Sequence, residues 1–191
     1  MRDLIRKILK ENTDYEIVKR TVIKQLEKKV KSGEVPSLNY NYLQKIGLGN
    51  FEDEIRQIYF DFVGGEEEAF KLFKKYLEGK VITDVDIRNI GRNVFPQDKY
   101  EFQITRIYNS DYRGNRIIGN NEELEFGFEL LNGQFDTSEG IMTLDELIEE
   151  RYDDIWLDVG DVLRSEIEDY VESVSNNFGL EFDTITSHWD D

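Results

Sequence analysis

Tyr100 to Leu131 carries two stretches in which apolar and polar residues alternate, joined by a polar loop. Leu124, Phe126, Phe128 and Leu130 fall in one row, and Glu123, Glu125, Gly127 and Glu129 in the other. Tyr100, Phe102 and Ile104 alternate in the same way with Glu101, Gln103 and Thr105. Successive side chains of an extended chain point to opposite faces, so a period of two predicts two half-buried strands. Val81, Thr83, Val85 and Ile87 alternate with Ile82, Asp84, Asp86 and Arg88, which predicts an earlier strand after Gly79-Lys80. Residues 89–98 read as a loop, Asn132-Gly133 as the start of a turn region reaching Gly140, and residues 180–189 as a last strand.

Elsewhere the period is helical. Leu4, Ile5, Ile8 and Leu9 predict a short amphipathic helix over residues 2–10. Asn12-Thr13-Asp14 offers capping oxygens for a second helix, with Val18, Val22, Leu26 and Val30 on one stripe and Gly33 as its stop. Residues 36–50 read as a connector with one helical turn. Phe51, Ile55, Ile58, Tyr59 and Phe62 form the next face, Gly64-Gly65 breaks it, and Ala69, Phe70, Phe73, Tyr76 and Leu77 form another. Acids open the helices that begin near residues 51 and 66, and lysines crowd the ends of those that stop near residues 31 and 77, as the helix dipole favours. Thr143-Leu144-Asp145-Glu146 has the form of a capping box. The helical stripe that follows reaches Phe178. An unbroken helix of that length would span roughly 52 Å, against a radius of gyration of about 16 Å for a chain of this size. A break near residues 152–154 is therefore expected.

These elements predict an α+β fold. N-terminal helices (1–79) accompany an antiparallel sheet of three to four strands and a long C-terminal helix packed on it (80–191), all as a single domain over residues 1–191. The chain has 39% hydrophobic residues, enough for a sizeable core, and its 191 residues suit one domain or two small ones. There is no cysteine, which removes disulfides, thiolate nucleophiles and cysteine-bound zinc together. No apolar run approaches the ~18 residues of a spanning helix. The charged start, Met1-Arg2-Asp3-Leu4-Ile5, does not read as a signal peptide. A cytoplasmic protein or a virion component, without a membrane, is expected.

The net charge of −17 is uneven. Residues 1–80 hold 16 Lys+Arg against 14 Asp+Glu, a net of +2, and residues 81–191 hold 8 against 27, a net of −19. Phosphate contacts need clustered Lys and Arg, so no nucleic acid is expected at the acidic C-terminal half. The opening Met-Arg-Asp-Leu-Ile-Arg-Lys-Ile-Leu-Lys-Glu resembles the starts of small proteins of marine tailed phages. The resemblance covers eleven residues, implies a viral origin and implies no activity.

Candidate chemistry is sparse. The single histidine, His188, rules out a multi-histidine metal site. Gly47-Leu48-Gly49 precedes a helix that opens with Glu52, Asp53 and Glu54, acids that would repel a phosphate. Residues 109–120 have glycine at the sixth place of a calcium loop, but Arg113 and Asn120 stand where oxygen donors including a carboxylate are needed. Asp84 and Asp86 would share one face of a strand and are the candidates for a metal or acid/base pair, on a face read as solvated. Neither a catalytic residue nor a cofactor is assigned. Tyr108, Tyr112, Arg113 and Arg116 cluster at the long loop 109–121. Tyr and Arg are favoured at interface centres, so these four are the candidate contact for a protein partner or for self-association. The leading expectation is a non-enzymatic protein-interaction role, such as a phage structural or accessory component. One alternative is an acidic inhibitor of a basic partner, of the immunity type or a nucleic-acid mimic. The other is a metal-dependent hydrolase led by Asp84 and Asp86.

Overall fold

A computed structural model describes the backbone of residues 2–109, 123–149 and 153–190, and side chains for 14–108, 123–147 and 159–190. The protein is α+β. It divides into two compact units, residues 1–73 with 175–180, and residues 74–174 with 181–191.

The first unit is helical. Helix α1 runs unbroken from Arg2 to Lys31, so the two expected helices are one. Asn, Thr and Asp in a helix interior cost at most about 0.7 kcal/mol each, too little to break it without Gly or Pro. Its stripe buries Val18, Val22 and Leu26, while Val30 is exposed. A short α2 (Tyr40–Lys45) follows. Then α3 (Glu52–Val63) packs on α1 through Ile55, Ile58 and Tyr59. Gly64 caps α3 in the left-handed region at φ 101°, where L side chains are strained. Helix α4 (Glu66–Leu77) begins in this unit with Ala69 and Phe73 buried. Residues 175–180 complete the core. Phe178 lies edge-on to Tyr59 and Phe73, at 6.4 and 5.8 Å between ring centroids. The Leu38 N–H donates to the Asn177 carbonyl at 2.6 Å.

The second unit holds the sheet. Strands β1 (Val81–Thr83), β2 (Lys99–Asn109), β3 (Glu123–Thr137) and β4 (Gly140–Thr143) are antiparallel in that order. Strand β5 (Thr184–Trp189) lies parallel to β3, against residues 123–128. Tyr100, Phe102, Ile104, Leu124, Phe126 and Phe128 are all buried, as the alternation required, and a register shift between Ile104 and Arg106 turns Ile107 inward as well. The β2–β3 ladder sets Phe102 opposite Leu130 and Ile104 opposite Phe128.

Two local readings are corrected. The strand expected over residues 81–88 stops at Thr83, and Asp84–Asn89 is helix α5. The Thr83 hydroxyl accepts the Asp86 N–H, and the Asp86 carboxylate accepts the Thr83 N–H at 3.0 Å, a capping box that starts a helix where the alternation suggested a strand. Nor does the chain turn at Asn132-Gly133, since β3 continues to Thr137. Gly133 is needed there for space: a Cβ on it would overlap the Phe135 ring. The turn falls at Ser138-Glu139.

Thr143 and Glu146 form the second capping box as expected, opening α6 (Leu144–Glu149). Helix α7 runs from Asp153 to Asn176; of the break expected near residues 152–154, residue 152 lies outside the described residues, and Asp153 and Asp154 are already helical. Helix α7 covers the sheet, burying Leu163, Ile167, Tyr170, Val171 and Val174. Glu168 Oε1 accepts both the N–H and the hydroxyl of Ser187 on β5, at 2.9 and 2.8 Å. Among the described residues no helix is long and apolar enough to cross a membrane.

Candidate functional site

The site is a cleft of about 250 Å³ in the second unit. Its walls include Phe95, Tyr100, Phe135, Val159, Val162 and Leu163, and its polar groups include Asp98, Asp136 and Glu166. Loop 90–98, strands β2 and β3, and helix α7 each contribute.

The loop is placed by a chain of local contacts. The capping box at Thr83 starts α5, and one turn later Arg88 returns to pair with Asp84. The Asp84 carboxylate also accepts the Tyr100 N–H at 3.4 Å. Arg88 Nη2 then donates to the carbonyls of Phe95 and Asp98, both at 3.1 Å. One guanidinium thus ties the loop to the sheet and sets Phe95 and Asp98 at the cleft. Asp98 is buried, and its Oδ1 accepts the Asp136 N–H at 2.8 Å. Tyr100 and Phe135 stack at 6.1 Å with an interplanar angle of 16°. The Tyr100 hydroxyl donates to Glu166 on α7.

Burial raises the pKa of both acids. Loss of solvent is the largest cause for Glu166, and the nearby Asp98 charge adds to it while the Tyr100 hydrogen bond opposes it. Asp98 is raised by the same loss of solvent, and its bond to the Asp136 N–H opposes the rise. The Tyr100 phenol is pushed far up by burial and by Glu166. Among the described residues lining the cleft, three are carboxylates and none is Lys or Arg. Two of its apolar walls stay open, with Phe95 59% and Val162 48% exposed. An adjoining hollow of about 370 Å³ shares Val162 and Glu166, and there Arg92 is paired with Asp169.

No protein-family model, curated protein or solved structure matches this chain.

Of the residues singled out in the sequence, Tyr108 lies half-buried on β2, with the Arg106 guanidinium 5.8 Å from its ring centroid. Arg106 also reaches Asp190 at 3.1 Å. Tyr112, Arg113 and Arg116 lie outside the described residues. Asp84 and Asp86 do not form the expected pair on a strand face. Asp84 is held by Arg88 and the Tyr100 N–H, and Asp86 by Thr83. Among the described residues no group of three or more His, Cys, Asp or Glu is arranged to hold a metal ion. The cleft residues escaped the sequence reading because they come from four separate segments. Tyr100 reads as core, while Phe135 falls in the expected turn region and Asp98 in the expected loop.

Proposed function

We propose that this chain is a non-catalytic interaction protein that recognises a basic protein partner through the acidic surface of residues 81–191. The observation that carries the reading is the cleft, which combines exposed apolar walls with carboxylates and has no described cation among its lining residues. Apolar side chains left open beside carboxylates favour a partner that brings both positive charge and apolar surface. The net of −19 over residues 81–191 adds long-range attraction for such a partner. Asp84 and Asp86 serve the fold by positioning loop 90–98, which leaves the hydrolase reading without its leading pair.

The test uses a fluorescent oligolysine peptide as the probe, followed by anisotropy and by hydrogen exchange. One-to-one binding is expected, with protection confined to residues 81–191. Affinity should fall at least tenfold as salt rises from about 0.05 to about 0.5 M, because the contacts are screened. Absence of binding at low salt, or protection spread over residues 1–80, would overturn the reading.

A further inference from the structure

We infer that the cleft between loop 90–98, strand β3 and helix α7 is a receptor for one arginine side chain of a basic protein segment, an inference that rests on the function proposed above. Its volume of about 250 Å³ lies under the ~300–1,000 Å³ of typical ligand pockets, so it suits a single side chain better than a whole cofactor. Its chemistry selects among cations. A guanidinium is flat, less strongly hydrated than an ammonium, and presents N–H donors in a rigid fork. Flat cations stack on aromatic faces, and the cleft offers Phe95, with the stacked Tyr100–Phe135 pair beside it. The fork needs acceptors, and Asp98, Asp136 and Glu166 line the cleft. Asp98 and Glu166 are already held in place, by the Asp136 N–H and the Tyr100 hydroxyl, so little side-chain freedom is lost when a cation arrives. Lysine carries a compact, strongly hydrated charge that would leave the aromatic walls unused. Arg88 does not fill this role itself, because it is engaged by Asp84 and by the Phe95 and Asp98 carbonyls.

The experiment is calorimetric titration of the full chain, at about 0.15 M salt, with two peptides of equal charge on one Gly/Ser frame. One carries only arginine as its cation and the other only lysine. The arginine peptide should bind roughly five- to tenfold tighter. That preference should vanish in Phe95→Ser and in Glu166→Gln, and survive in Ile141→Ser, which removes an exposed apolar side chain outside the cleft. Phe95 is 59% exposed, so its replacement leaves the core intact. Equal binding of both peptides, or a preference that persists in the cleft variants, would overturn the arginine receptor and leave the basic-partner reading standing. If neither peptide binds, both fall.

Discussion

Gly127 on β3 is buried, and a Cβ there would overlap the Asp190 carboxylate and sit 2.7 Å from Thr105 Oγ1. The missing side chain makes room for Asp190, which accepts from the Thr105 hydroxyl and from Arg106. Gly127→Ala is expected to lower the urea midpoint by an amount corresponding to about 1–3 kcal/mol. In an Asp190→Gly background the same change should cost less, because only the Thr105 contact is left. Alternation alone placed Gly127 in the polar row; the close approach is made by Asp190, just past β5, and by Thr105 on β2, so no local pattern announces it. Glu166 and Asp98 carry a second prediction. A carboxyl whose folded pKa is raised keeps its proton more firmly in the folded state, so its stabilising effect is greatest below the unfolded value and is lost as pH rises through the folded one. Their contribution to unfolding free energy should therefore decline as pH rises above about 4. Glu166→Gln should flatten that decline, as measured by urea unfolding across a pH series.

At the scale of elements, the two capping boxes had different fates in the sequence reading. Thr143-Leu144-Asp145-Glu146 was legible because a long helical stripe follows it. Thr83-Asp84-Val85-Asp86 also has an acid three residues after a threonine, an aspartate in place of the glutamate, yet only six residues of helix follow. Over so short a stretch Val85 and Ile87 fit a strand as well as a helix. Burial settles the matter, with Ile87 inside and Val85 56% exposed. Thr83→Ala is expected to cost about 1 kcal/mol in denaturant unfolding. Because α5 carries Arg88, the same variant should speed hydrogen exchange at the Asp98 N–H, which donates to the Phe95 carbonyl at 3.0 Å. Unchanged exchange there would remove α5 as the support of the cleft loop.

For the whole molecule, the notable feature is that residues 175–180 belong with the N-terminal helices and not with the sheet. Phe178 is fully buried between Tyr59 and Phe73. Phe178→Ala is expected to cost about 3–5 kcal/mol. Its effect on native-state exchange should fall on α1 and α3, far away in sequence, and not on β2 and β3. The charge division follows the chain in a similar way, with residues 1–80 near neutral and the acids gathered after them.

What the sequence determined by itself was whatever depends on neighbours along the chain. Strand alternation at Tyr100–Ile104 and Leu124–Phe128 settled the sheet core, because side-chain direction in an extended chain follows from position alone. Helical stripes and the Thr143 cap settled most helices for the same reason. Tertiary structure decided what depends on meetings between distant segments: Asp190 over Gly127, Phe178 among the N-terminal helices, and the convergence of Phe95, Asp98, Phe135 and Glu166 on one cleft. Each such meeting is a matter of space and lost solvent at one point, and neither quantity exists until the chain has folded.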